Sequence, residues 1–263
     1  LKESSQLRGI GQSLILWANQ NRDRYPLPSD LDRQDETVTA SGHAKNTTAA
    51  IYSILIFNGS VPVEMFLSPL ENNERIKVDD DYMYSDPKTA VNPQRALWDP
   101  AFSADFTNDK IGNTSFAHQQ PTATERGKEH WRANYNATSV AVMARGPKVT
   151  KVERQEPEKG AAQYLATLDN PKSNTLTWYS GKRSGSWSGN IAYGDNHVAF
   201  SEMLLKSQGA EKPHLVHGWE EGFSRKGAPD LPFFDEADAL TNNFAGIFTV
   251  AGERPEDFAA IWD

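Results

Sequence analysis

The sequence predicts an α+β fold in which a long N-terminal amphipathic helix packs on an antiparallel sheet. Three observations carry that expectation. Leu7, Ile10, Leu14, Trp17 and Ala18 recur at three- and four-residue spacing, with Arg8, Gln12, Asn19 and Gln20 between them; this is the period of a helix that buries one face. Trp131 to Ala144 and Thr175-Leu-Thr-Trp-Tyr179 read as strands, the second by alternation. Asn190-Ile-Ala-Tyr-Gly-Asp-Asn-His-Val-Ala-Phe200 reads as two short strands about a tight turn, in which Gly194-Asp195-Asn196 has the composition of a two-residue hairpin loop.

The elements follow in order. The first helix covers roughly residues 1–22 and ends at Tyr25-Pro-Leu-Pro28, where two prolines stop it. Its start has no clear capping residue, and Leu1 stands where Met would, so the helix is expected to continue upstream. Thr48 to Phe57 reads as a buried helix or a strand; Ala49-Ala50 at its start and Asn58-Gly59 at its end favour the helix. Residues 85–130 carry many Pro, Asn, Thr and Asp and little periodicity, as a long loop region does. Residues 148–163 read as loop or short helix, and Glu202 to Gln208 as helix. Residues 209–263 are rich in Pro, Gly and aromatics (Trp219, Phe223, Phe233, Phe234, Phe244, Phe248, Phe258, Trp262) and need a surface to pack on.

Composition narrows the function. The chain has 263 residues, a net charge of −8 and 38% hydrophobic residues, so it is globular, and its acidic balance argues against nucleic-acid binding. The absence of cysteine excludes disulfides, thiolate nucleophiles and cysteine-ligated metals. No apolar run is long enough to span a bilayer, so a membrane segment would lie upstream of Leu1.

Several segments, in this order, resemble the prepilin-type proteins of planctomycetes, which carry a C-terminal signature of His, nine residues, then Asp-Gly. Leu7-Arg-Gly-Ile-Gly-Gln-Ser-Leu-Ile-Leu-Trp-Ala-Asn19 with Asp23-Arg-Tyr-Pro26 resembles that family's exit from its first helix. Met65-Phe-Leu-Ser-Pro69 stands where the family often has Cys-Pro-Ser. Asp81-Tyr-Met-Tyr-Ser85 and Ser139-Val-Ala-Val-Met-Ala-Arg-Gly146 resemble its following strands, and Asn190 to Phe200 its Asn–apolar–Asp-Gly-His-Val segment. Asn196 replaces the Gly of that segment, Gly185 the signature His, and the membrane helix with its cleavage site is absent. The resemblance covers residues 1–26 and scattered segments to about 205. It implies a pilin-like fold divided into the end of the first helix (1–24), a globular head (25–208) and an aromatic-rich extension (209–263) packing on the head or a neighbouring subunit. It also implies a non-enzymatic pilin or pseudopilin of a filament or type II secretion assembly. That subunit is extracytoplasmic, is anchored by the missing helix and pairs with copies of itself or other pilin-like subunits.

The candidate sites are few. Asp195 and Asn196 suit a turn better than catalysis, since only His197 is near enough in sequence to help. Asp79, Asp80, Asp81 and Asp86 offer hard oxygens to calcium, although their spacing is not that of an EF-hand and a solvated acidic loop is the plainer reading. His214 and His217 have metal-ligand spacing but lie between Pro213 and Gly218, which favour a turn. Gly185-Ser-Trp-Ser-Gly189 lacks the strand–turn–helix context of a nucleophile elbow. Asn46, Asn58, Asn113 and Asn136 head glycosylation sequons. Two other functions compete with the filament subunit: a secreted carbohydrate-binding or adhesive domain using the tail aromatics, and, less favoured, a polysaccharide hydrolase using Asp195.

Overall fold

Leu7, Ile10, Leu14 and Ala18 lie along one side of helix α1 (Lys2–Gln20) and are buried, as the three- and four-residue spacing requires. The computed structural model describes residues 1–124, 130–156, 163–170, 172–178, 186–206, 214–216, 231–235 and 243–262. A short helix α2 (Pro28–Leu31) follows the proline-rich turn. Helix α3 (Thr48–Phe57) is capped by the Thr47 hydroxyl, which accepts the Ala50 N–H. At its other end Gly59 has φ +70°; its N–H and that of Ser60 reach the carbonyls of Ile56 and Leu55, the paired bonds of a left-handed helix terminus. Among the described residues no helix is long and apolar enough to cross a membrane.

Among the described residues nine strands form one sheet: β1 (Phe116–Gln119), β2 (Val140–Ala144), β3 (Val149–Gln155), β4 (Gln163–Leu168), β5 (Ser186–Tyr193), β6 (Val198–Lys206), β7 (His214–Val216), β8 (Ala245–Val250) and β9 (Ala259–Ile261). Their spatial order is β3-β4-β7-β6-β5-β2-β1-β8-β9, and every neighbouring pair is antiparallel. The protein is therefore α+β, with an N-terminal helix and an antiparallel sheet. Residues 209–263, set apart in sequence as an extension, supply β7, β8 and β9 to this same sheet.

Alternation sorts the strands' side chains between two cores. Phe116, Ala141, Val142 and Ala192 meet α1 and α3 on one face. Ala117, Val140, Met143 and Ile191 turn to the other face, where Trp187, Phe233 and Leu176 cover them. A bulge between Val140 and Val142 explains why consecutive Ala141 and Val142 share the helical face. Edge strand β3 exposes Lys151, Glu153 and Arg154, charges that deter pairing with another chain.

Four local expectations are corrected. Of the helix expected at Glu202 to Gln208, Glu202 to Lys206 belongs to one long strand, Val198–Lys206, and Ser207 and Gln208 lie outside the described residues. The stretch expected as loop or short helix at 148–163 holds β3 and the start of β4. Of the strand expected at Thr175 to Tyr179, Asn174–Thr177 is a 3-10 turn: consecutive Thr175 and Leu176 are both buried, which breaks the period of two, and the Leu176 N–H closes on the Ser173 carbonyl at 3.1 Å, while Tyr179 lies outside the described residues. Trp131 precedes β2 in an irregular segment, where its indole N–H is held by the Pro26 carbonyl.

Two buried ion pairs fasten the loops. Lys45 Nζ lies 3.0 Å from Asp32 Oδ2 and 2.6 Å from Asp35 Oδ1, and it also donates to the Asp32 carbonyl. Arg145 grips Glu71 bidentately, at 3.0 Å through Nε and 2.6 Å through a terminal nitrogen, with its guanidinium 5.1 Å from the Phe106 and Trp178 ring centroids. The side chains of this second pair are 4% and 3% exposed. Glu71→Ala strands the cation, so it should cost about 3–5 kcal/mol in urea unfolding, whereas Glu71→Leu with Arg145→Met should cost much less.

Candidate functional site

The hairpin singled out by the sequence joins β5 to β6. Ala192 pairs with Val198, and the Tyr193 N–H reaches the His197 carbonyl at 3.0 Å, so Gly194-Asp195-Asn196 is a three-residue loop rather than a two-residue one. Asn196 takes the left-handed position, φ 65°, which Asn occupies with less strain than other side-chain-bearing residues. Gly194 is required for another reason: a Cβ there would stand 2.3 Å from Asn134 Oδ1. Asp195 Oδ1 accepts the His197 backbone N–H at 3.1 Å and its Nδ1–H at 2.5 Å, while the His197 ring stacks 4.4 Å from Tyr193. Desolvation pushes the Asp195 carboxyl up; the His197 hydrogen bonds outweigh it and hold the carboxyl below the ordinary range. These contacts are those of a turn acid.

The loop does more than reverse the chain. It lies against α1 at Gly11, where a Cβ would stand 2.6 Å from Asn196 Oδ1 and 3.7 Å from Ala192 Cβ. Six residues earlier on β5, Asn190 Nδ2 donates at 2.6 Å to Glu3 Oε2, and Ser68 Oγ donates at 2.6 Å to Glu3 Oε1. Glu3 is 2% exposed. Gln6 adds a bond from Nε2 to the Leu67 carbonyl at 2.8 Å. Strand β5 thus holds α1 at its first turn through a buried carboxylate and at its middle through close approach. Sequence reasoning missed Glu3, Asn190 and Ser68. The signal was present: Glu3 precedes Leu7, Ile10 and Leu14 on the same stripe, so an acid occupies an apolar position.

The acidic residues do not converge. Asp79 Oδ1 accepts the Asp81 N–H at 3.2 Å, and Asp80, Asp81 and Asp86 are exposed, Asp86 with φ 46°. Burial, with Asp99, Asp81 and Asp80 nearby, pushes Asp79 up against the pull of that N–H. Among the described residues no group of three or more carboxylates or imidazoles is arranged to hold a metal. His214 lies on β7, and His217 and Gly185 fall outside the described residues. Trp187, in the Ser/Gly run, is a core residue whose indole N–H donates to the Arg145 carbonyl at 3.0 Å. Asn46 and Asn113 are buried, whereas the sequon asparagines Asn58 and Asn136 are exposed.

His118, on β1, was not singled out in sequence. It is fully buried among Tyr52, Trp131 and Phe248. Its Nδ1 lies 2.8 Å from the Gln119 carbonyl, so Nδ1 carries the proton and Nε2 accepts the Thr48 hydroxyl at 2.8 Å; that hydroxyl oxygen in turn accepts the Phe248 N–H at 2.7 Å. Burial pushes the imidazole down from 6.5 to about 4, against the opposing Gln119 carbonyl. Its role is to join α3 to β1 and β8. The described tail aromatics are likewise structural: Phe233 meets Trp187 at 4.9 Å, Phe244 and Phe248 meet at 5.8 Å, and Phe258 lies 5.5 Å from Phe248. Trp219 and Phe223 fall outside the described residues.

Comparison with protein-family models, with curated proteins and with solved structures finds no match.

Two predictions follow from this geometry. Gly11→Ala improves helix propensity by up to about 1 kcal/mol, but its Cβ must turn Asn196 Oδ1 aside, so the net change should stay below that gain. In an Asn196→Gly background the full gain should appear, and a double-mutant cycle read by chemical unfolding checks the difference. Separately, the depressed His118 value means the unfolded chain binds a proton that the folded chain refuses. Stability should therefore fall by about 3 kcal/mol as pH drops from 6.5 to about 4, a loss that His118→Gln removes from the urea midpoints.

Proposed function

We propose that the protein is a non-enzymatic, pilin-like structural subunit of an extracytoplasmic filament or type II secretion-like assembly, joined to neighbouring subunits through an extension of α1. The observation that carries this reading is a 19-residue helix laid on an antiparallel sheet, fastened to β5 by the Glu3–Asn190 hydrogen bond and met closely at Gly11 by the loop that follows β5. A helix fixed in this way transmits load applied along its axis to the sheet instead of peeling away. The groups with displaced protonation support the same reading. Asp195 serves a turn, Asp32 accepts Lys45 and the Glu36 and Thr37 N–H groups, and His118 closes the junction of α3 with the sheet.

The sequence order of helix, strands and Asp195-Asn196-His197 hairpin agrees with the family resemblance, and the left-handed Asn196 fills the role of the family's Gly. The test is to express the gene with its natural upstream sequence in a host that processes prepilins, then image sheared surface material. Ordered fibres that react with antibody to this chain are expected. A full-length product that remains strictly monomeric overturns the reading.

A further inference from the structure

The far end of α1 carries a feature that the filament reading does not use. Where the helix stops, Arg22 and Asp23 both take left-handed backbone, φ 57° and 61°. Two consecutive non-glycine residues in that region hold the backbone of this turn under strain. The turn borders a cleft of about 270 Å³ between α1 and α2, lined by Trp17, Arg22, Arg24, Asp30, Leu31 and Arg33 among others. Its base is rigid: Tyr25 packs edge-on against Trp131 at 5.2 Å, and the Trp131 indole N–H donates to the Pro26 carbonyl. Leu31 and Arg33 also line an adjoining cleft of about 460 Å³ that reaches Leu97; there Asp32 and Glu36 balance Arg33 and Arg95, and Arg95 is already paired with Glu36 at 2.7 Å.

The charge of the first cleft runs against that of the chain. Three arginines face one carboxylate in a protein of net charge −8. Asp30 is shared with Arg24 at 3.6 Å, and the neighbouring Asp23 turns to Arg132 at 3.5 Å. Among the described residues Arg22 and Arg33 have no carboxylate within ion-pair distance, and Arg33 spends only its Nε, on the Asp30 carbonyl at 3.0 Å. Uncommitted guanidinium forks match carboxylates bidentately. Trp17 and Leu31, with Leu97 in the adjoining cleft, add apolar wall.

We infer that these joined clefts bind an acidic saccharide chain whose sugar rings carry carboxylates. Arg22 and Arg33 take the carboxylates of neighbouring units and the Trp17 and Leu31 surfaces take the ring faces; Arg95, paired with Glu36, is not needed. A nucleic acid is the poorer fit, because a polyanion of that length meets the field of the whole acidic chain.

The experiment is calorimetric titration of this chain at low salt with tetragalacturonate, its carboxyl-reduced neutral counterpart and an oligoglutamate of equal charge. Tetragalacturonate should bind with a dissociation constant below about 1 mM and at least about tenfold more tightly than either competitor. Arg22→Ala with Arg33→Ala should weaken it at least about tenfold at an unchanged thermal midpoint, both side chains being solvent-facing. Absence of saturable heat, equal affinity in the double variant, or equal binding of the neutral sugar or the peptide overturns the inference. None of these outcomes bears on filament formation.

Discussion

The hold of β5 on α1 is the constraint from which the rest of the arrangement follows. A carboxylate buried at Glu3 is tolerable only when its oxygens are satisfied, and Asn190 and Ser68 each satisfy one. That requirement fixes the axial position of the helix over the strand. With Asn190 fixed, alternation sends Ile191 to the far core and Ala192 to the helical core, and the loop that follows brings Asn196 to Gly11. A one-residue slip would break the hydrogen bonds and drive a side chain into the helix backbone at the same time. Polar specificity and steric fit therefore enforce one register.

The sheet works as a wall with unlike sides. One side is covered by two regular helices, and its core is assembled from Leu7, Ile10, Leu14, Ile51, Leu55 and Phe116. The other is covered by irregular chain, which supplies large rings such as Trp178, Phe233 and Phe106. Irregular cover leaves backbone and charged groups to be satisfied one at a time. That accounts for the Arg145–Glu71 fork seated between aromatic rings and for the Trp187 indole spent on a carbonyl.

The parts legible in sequence were those whose causes are local. The apolar period of α1 and the Asn58-Gly59 stop of α3 are local signals, as is the turn chemistry of Asp195-Asn196. Strand β6 was misread because Met203-Leu204-Leu205 fits a helix as well as a strand in isolation; pairing with β5 and β7 decides the matter, and neither neighbour is visible at that point in the chain. The same limit hid His118, whose partners Thr48 and Phe248 are remote in sequence. Glu3 was the exception, a long-range contact that left a local trace as an acid on an apolar stripe. The cleft beside Arg22 left none, since its arginines resemble any solvated set until the turn brings them together.

The hydroxyl of Thr48 accepts the amide of Phe248, across 200 positions of chain. Strand β8, which bears Phe248, lies beside β1, whose other neighbour β2 comes more than 100 positions before it. Contacts this distant carry a large loop-closure cost and favour slow folding. During synthesis the first helix and the early strands are made long before the strand that closes their core. Until residue 248 emerges, His118 has no lid and the α3 junction stays open. A chain with this wiring completes its core only when its late strands arrive, and its early elements must wait for them.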